Sequence, residues 1–588
     1  MTIQDSFRKY IVSRRTFLLT TGKISILSLL LGRMFYLQIL KGREYKVLSE
    51  KNRINLIMIT PARGKILDNN NSIVTENRSG FFVKLDRKEA ANYQESLEHF
   101  FELMNLNDEE KLKIFKNIKN SSSKTPVTLV KDIKWRYVAR IEENLDKIPG
   151  IYTENLQLRI YNFPESCCHI TGYLGRLSEH HLLDKNNIAS EFQVGKAGLE
   201  KQYEEVLQGK FGYKKAEINA KGILVRELEK VKPSNGGDIK LTIDANLQEH
   251  IHSIMPQEGG SAVIMDVNNG DILGIYSAPT FNPNEFVGGV SHPYWQEITK
   301  DPLNPLINKA IQTHYPPGST FKLITILAAL EEGVSKNFKI FCSGKVKAGG
   351  RVFRCWKHSG HGLIDMHDAI KQSCNCYMYE IGRLIGAEKL LLVSKKLGFG
   401  EKTGIDLPGE VSGFLPSKEW KFKHFKFGWS IGDSLNIAIG QGALLSTPMQ
   451  QARMAAFFAN EGLLLSPKIN SQKESIKNFP DINKNNIKII KNAMYSAINE
   501  KGGTSYNSRS NKVNIAGKTG TSQVQSKKSF FDDLSKKTII RKSRNHALFA
   551  GFWPYESPKY SISVIIDHGG GGASTAAPIA KRIIEFLS

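Results

Sequence analysis

The chain has 588 residues, 40% of them hydrophobic, with 81 Lys and Arg against 57 Asp and Glu and a formal net charge of +24. That length and apolar content support several packed domains and exclude a disordered chain or a small disulfide scaffold. The basic balance suits an anionic membrane or an acidic polymer; no nucleic-acid motif is present and the polar stretches lack interleaved aromatics, which speaks against nucleic acid as a partner.

Arg8, Lys9, Arg14 and Arg15 precede a mostly apolar run from Thr16 to Leu40, interrupted by Lys23 and Arg33 and long enough to span a bilayer. No small-x-small cleavage site follows, so an uncleaved anchor is expected: cytoplasmic tail 1–15, transmembrane segment 16–40, and the rest outside. Ser13-Arg14-Arg15-Thr16-Phe17-Leu18 also resembles a twin-arginine export signal, although positive-inside orientation accounts for the same arginines.

Residues 41–235 mix short strands, polar helices and loops, the expected pedestal domain. Ile54 to Ile59 reads as a strand, and the arginine of Arg63-Gly64-Lys65-Ile66-Leu67-Asp68 is expected to pair with the aspartate. Glu98 to Ile118 reads as an amphipathic helix, Ser121 to Ser123 as a loop, and Gly195 to Tyr203 as the opening of another helix. Composition shifts at Lys232-Pro233-Ser234-Asn235-Gly236-Gly237, and residues 236–588 form the second expected domain. Its strands are expected at 239–243, 260–266, 272–277, 547–552 and 560–566, with helices at 246–254 and 578–587. Strands flanking a helical block predict an α+β fold: an antiparallel sheet sandwiched by helices.

Within that block, Tyr315-Pro316-Pro317-Gly318-Ser319-Thr320-Phe321-Lys322 is a turn breaking into an apolar helix, with Ser319 near its amino end and Lys322 on the same face. A serine hydroxyl needs a base; lysine serves when burial beside another cation makes it neutral. Ser373-Cys374-Asn375 falls in a helical-looking stretch from Met366 to Ile385, and Lys518-Thr519-Gly520-Thr521 follows Val513 to Ala516 as an edge strand would. Ser-x-x-Lys alone is a common pattern, but the three motifs in this order are the signature of penicillin-binding proteins and serine β-lactamases.

With its anchor, Arg63-Gly64-x-Ile66-x-Asp68, Gly198-Leu199-Glu200, Gly440-Gln441-Gly442 and Thr447-Pro448, nearly the whole chain resembles a class B penicillin-binding protein of the elongation type. The resemblance implies a peptidoglycan D,D-transpeptidase in the bacterial cytoplasmic (inner) membrane, its catalytic domain in the periplasm. It would cross-link stem peptides, be trapped by β-lactams, and partner a polytopic membrane glycosyltransferase. The implied catalytic residues are Ser319 (nucleophile), Lys322 (base), Ser373 (proton relay), Asn375 and Lys518, with Thr519, Gly520 and Thr521 binding substrate. Alternatives are a division-type transpeptidase, a D,D-carboxypeptidase or β-lactamase, and a non-catalytic β-lactam sensor or scaffold. The chemistry requires no cofactor. Cys342, Cys355, His361 and Cys374 are nevertheless a soft set suited to structural zinc, with His358 an alternative ligand, and the resemblance implies a metal in this stretch. A Cys342–Cys355 disulfide and unpaired buried thiols are the rival readings.

Overall fold

The computed structural model describes residues 14–41, 54–87, 89, 92–120, 126–176, 193–218, 224–524 and 544–588. Arg8, Lys9 and the Ser121–Ser123 loop lie outside the described residues. Contacts divide the chain into two compact units.

The first unit carries the amino-terminal helix, Arg14–Phe35, continued as a π-helical turn over Tyr36–Leu40. Phe17–Leu40 spans 24 residues with a mean hydropathy of 1.4, long and apolar enough to cross a membrane. The same unit holds an antiparallel sheet of Ile54–Ile59, Gly212–Ile218 and Leu224–Val231. Its strand pair is laced by Arg226–Glu217 at 2.7 Å and by Lys215–Glu229, the opposite-charge cross-strand pairing that supports a solvated sheet.

The second unit contains two hydrophobic centres of different kinds. The smaller is built on the long strand Ile73–Leu85, which pairs with Val127–Ile133 and Ile151–Tyr161. Helices Tyr93–Met104, Asp108–Asn120 and Trp135–Glu142 close its core through Leu97, Phe100, Ile114, Val138 and Ile141. The single helix expected over Glu98–Ile118 is thus two, because Asn105 takes a left-handed conformation (φ 52°) that ends the first. Glu200 lies buried here and pairs with both Arg63 (2.6 Å) and Arg159 (2.7 Å); Glu204 takes a second Arg63 nitrogen at 2.6 Å. The expected Arg63–Asp68 tie does not form: the Asp68 carboxylate accepts the backbone N–H groups of Asn70 and Ser72 and caps its own turn.

The larger centre is a five-stranded antiparallel sheet in the order Ile272–Ala278, Gly260–Asp266, Tyr560–Ile566, His546–Trp553, Ala516–Ser522. Side chains alternate between its faces. Ala262, Ile264, Phe549 and Val564 pack with Ile251, Ile583 and Ile584 from helices Ala245–Ile254 and Ala577–Phe586. Val263, Met265, Ala550 and Phe552 share the other core with the buried helices Lys322–Glu331 and Pro448–Ala459. The sandwich expected from sequence is present. One expected strand shrinks, 239–243 to Ile239–Lys240, which pairs in parallel with Ile66–Leu67.

Candidate active site

The three motifs, scattered over two hundred residues of sequence, meet at one end of this sheet. Ser319 sits in a short 3₁₀ turn, Gly318–Thr320, that leads into the apolar helix Lys322–Glu331. The turn is held from two sides: Gly318 N–H donates to Gly440 O at 2.9 Å, and Tyr315 exchanges backbone hydrogen bonds of 2.8 Å with Ser446. Gly318 has φ 55°, and a Cβ there would stand 2.8 Å from the Thr521 carbonyl, so only glycine lets the turn approach the Lys518-Thr519-Gly520-Thr521 strand this closely. A Cβ at Gly520 would in turn press on Pro317 O at 3.1 Å. Gly520 therefore makes room for the chain's own serine turn.

Lys322 is fully buried, and its Nζ donates to Ser373 O (2.8 Å), Ser373 Oγ (3.1 Å) and Asn375 Oδ1 (2.6 Å). No hydrogen bond joins it to Ser319 among the described residues; the ammonium is drawn to the second motif. Burial pulls its pKa down to about 8, with nearby thiols opposing the shift. Lys518 is also fully buried on the edge strand, donating to Thr519 O at 3.3 Å. Burial holds it well below the ordinary lysine value, and the charge of Lys322 pushes the same way. Thr519 Oγ1 donates to Thr504 Oγ1 at 3.4 Å, while Thr521 is exposed. The strand carrying them, Ala516–Ser522, is the last in the sheet, so its outer side is open to an added strand.

The helix expected through Met366–Ile385 is broken at the second motif. Met366–Lys371 ends, Ser373 takes φ 55°, and a new helix runs from Asn375 to Lys396. A left-handed serine costs strain unless its surroundings fix it. Here its carbonyl accepts both from Lys322 Nζ and from Trp356 Nε1, the latter at 3.1 Å. Sequence reasoning missed Trp356; its only signal was its place between two cysteine-flanked motifs. Gln441 was named only within the Gly440-Gln441-Gly442 motif and without a role; its Nε2 donates to Thr521 O at 3.2 Å.

Just behind the second motif, Cys342 Sγ, Cys355 Sγ, Cys374 Sγ and a ring nitrogen of His361 lie within 4.8 Å of one another. His361 Nδ1 is 3.5 Å from Cys342 Sγ and 3.6 Å from Cys355 Sγ. All six cysteines are free thiols, so the Cys342–Cys355 disulfide is not formed. Hydrogen bonds from Cys374 and Cys376 hold the Cys355 thiol far below its ordinary value, favouring a thiolate. Cys376 thus belongs to the cluster's surroundings, a contact that ligand spacing did not reveal. Three soft sulfurs and an imidazole, one sulfur poised as thiolate, fit a tetrahedral zinc, whose Zn–S bonds of about 2.3 Å place sulfurs roughly 3.8 Å apart.

The remaining acids are occupied structurally. Asp406 accepts from Tyr203 Oη and from the N–H groups of Ile469 and Asn470; Asp433 closes a capping box with Ser430. His568 lies against His546 with ring centroids 4.6 Å apart and the rings tilted by 40°.

A serine in a tight turn leading into a helix, with two buried lysines on neighbouring elements and an edge strand alongside, is an arrangement that can support acyl transfer through a serine ester. The penicillin-binding protein transpeptidase domain matches residues 260–585, and the penicillin-binding protein dimerisation domain matches 58–241. The chain belongs to this family of penicillin-binding proteins. It is 30% identical to the peptidoglycan D,D-transpeptidase MrdA of Escherichia coli, over 100% of this chain and 96% of that one. With the MrdA of Acinetobacter baumannii it shares 33% identity over 98% of this chain and 88% of that one. Among solved structures, the penicillin-binding protein PBP2 of Helicobacter pylori, in its complex with MreC, superposes with a TM-score of 0.80 at 32% identity, covering 91% of this chain and 99% of that one.

Proposed function

We propose that the chain is a peptidoglycan D,D-transpeptidase of the elongation type, serving rod-shape maintenance, with Ser319 as its nucleophile. The observation that carries this is Lys322, buried and held by Ser373 and Asn375 directly after the serine turn. With a pKa near 8, roughly one in ten Lys322 side chains is neutral at pH 7. Neutral Lys322 takes the Ser319 proton as Oγ attacks the carbonyl of the penultimate D-alanine. The oxyanion lies between the N–H groups of Ser319 and Thr521, each donor contributing about 3–4 kcal/mol to the transition state. Ser373 Oγ, 3.1 Å from Lys322 Nζ, returns a proton to the departing D-alanine amine. Asn375 holds Lys322, and Thr519, Thr521 and Lys518 bind the substrate's terminal carboxylate, with its backbone laid along the edge strand. The amine of a second stem peptide then attacks the ester, loses its proton to Lys322 and frees Ser319. Water in its place gives a D,D-carboxypeptidase side activity.

Residues 1–15 form the cytoplasmic tail and 16–40 a single-pass anchor in the cytoplasmic membrane; the pedestal to residue 235 and the catalytic domain from 236 stand in the periplasm. The charge of the arginines before the apolar helix supports that orientation. The likeness to a PBP2 solved in complex with MreC supports assembly with an elongation scaffold, and a polytopic membrane glycosyltransferase supplies the strands to be cross-linked. Cys342, Cys355, His361 and Cys374 hold a structural zinc that braces the segment carrying Ser373; four protein ligands leave it no open position for chemistry.

The test is labelling of purified protein with a fluorescent penicillin, wild type beside Ser319→Ala. A stable band lost in the variant, with cross-linked dimers from stem-peptide substrates, is expected. No band from folded wild type sinks the acyl-enzyme, and a band decaying within seconds makes the protein a hydrolase.

A further inference from the structure

Between Gly333 and Ile364 the chain contains no acidic residue, yet Lys345, Lys347, Arg351, Arg354 and Lys357 fall close together within it. Four of these lie on one antiparallel hairpin, Lys345–Ala348 with Arg351–Arg354. Its register pairs Lys345 with Arg354 and Lys347 with Val352 on one face, and Val346 with Phe353 on the other. Val346 and Phe353 turn inward: Val346 packs against the main core and Phe353 meets Tyr379 with ring centroids 5.5 Å apart. The opposite face is fully outward, with Lys345, Lys347, Val352 and Arg354 all exposed. None of the hairpin's cations has an ion-pair partner among the described residues. Outward lysines also discourage edge-to-edge pairing of strands, but that purpose is served by either sign, and here every charge is positive.

The hairpin's position is what gives the charge a use. Asn375 Nδ2 donates to Arg354 O at 3.3 Å and Tyr379 Oη to the same carbonyl at 3.4 Å, while the next side chain but one, Trp356, holds Ser373 O. Asn375 is the residue whose Oδ1 takes Lys322 Nζ at 2.6 Å. The cationic face therefore begins one side chain away from the reactive centre and runs outward from it, ending at the Gly349-Gly350 tip.

We infer that the outer face of this hairpin, through Lys345, Lys347 and Arg354, together with Arg351, which the register puts with Ala348 on the other face but which is exposed beside the Gly349-Gly350 tip, is a docking surface for the carboxylates of the stem peptides on a peptidoglycan strand, holding the polymer while one of its stems occupies the catalytic cleft. This rests on the transpeptidase reading and adds a polymer-binding subsite to it. A peptide strand bearing repeated free carboxylates matches a row of unpaired cations, and such rim charges act mainly on encounter rate and on salt dependence. On this inference a small β-lactam, which carries no repeated carboxylates, does not need the hairpin to react with Ser319.

The experiment compares two reactions of the full-length protein: labelling by fluorescent penicillin, and cross-linking of uncross-linked glycan strands that carry pentapeptide stems. In the Lys345→Gln, Lys347→Gln, Arg351→Gln triple variant, cross-linking is expected to fall about fivefold or more, with penicillin labelling within about twofold of wild type. A variant losing the same charge from the pedestal surface (Lys116→Gln, Lys119→Gln, Lys134→Gln) is expected to keep both. Equal cross-linking in wild type and hairpin variant overturns the inference, as does an equal fall in the pedestal variant. Should the hairpin variant misfold, wild-type protein decides: raising salt across the range where surface charges become screened must slow cross-linking but leave penicillin labelling unchanged; parallel responses overturn the inference. Wild type that takes no penicillin at all defeats the transpeptidase reading itself, a result distinct from each of these.

Discussion

Among the cations that the second unit buries, two pairs are treated oppositely. In the pedestal, Arg63 and Arg159 converge on Glu200, so each charge keeps a partner, and Arg63 stays above its ordinary value despite burial. In the catalytic centre, Lys322 and Lys518 are buried with neutral acceptors alone, Ser373, Asn375 and the Thr519 carbonyl, and both are driven toward the neutral amine. A buried arginine with a carboxylate is a structural tie that does not give up its proton; a buried lysine without one is a base in waiting. The same burial thus yields a clamp in one place and, in the other, amines suited to the proposed chemistry, decided by whether a carboxylate was placed alongside.

The comparison breaks most sharply on exchange of the cation. Lys322→Arg keeps the charge and removes the base, and is expected to slow penicillin acylation by about a thousandfold or more in stopped-flow labelling, as Lys322→Ala does. Near-normal acylation in the arginine variant would show that Lys322 is not the base. Removing the pedestal's carboxylate acts on stability instead. Glu200→Ala leaves the buried Arg159 guanidinium without a carboxylate and Arg63 with Glu204 alone, and is expected to cost about 3–5 kcal/mol in denaturant unfolding, with acylation per folded molecule unchanged.

Third in size is the cysteine cluster. Stripping metal with a chelator, or Cys374→Ser, is expected to lower the melting temperature and slow acylation about ten- to hundredfold through the Ser373 segment it braces, with the zinc content measured alongside. Protein purified without chelator that holds no zinc would dismiss the metal. The smallest effect is that of pH. Because burial lowers Lys322 below the free lysine value, its neutral form grows about tenfold per pH unit below about 8 and saturates above it, and the acylation rate should follow. A flat profile between pH 6 and 8 would remove Lys322 titration from the rate.

The residue order of the sequence determined the motifs, the anchor and most sheet strands, because turn residues, apolar periodicity and a serine three residues before a lysine are local properties. Tyr560–Ile566 and Gly260–Asp266 fall where alternation and turns put them. The ligand set Cys342, Cys355, His361 and Cys374 was legible from residue type, although their approach to within 4.8 Å was not. Tertiary structure alone decided that Arg63 would choose Glu200 over the nearer Asp68, since the aspartate was already engaged by its own turn. It alone broke the helix at Ser373, whose left-handed backbone is fixed by a lysine and a tryptophan distant in sequence. It alone turned Gly520 toward the serine turn. Each of these depends on which groups meet after the chain has closed, and a buried charge or a strained residue takes its state from those neighbours.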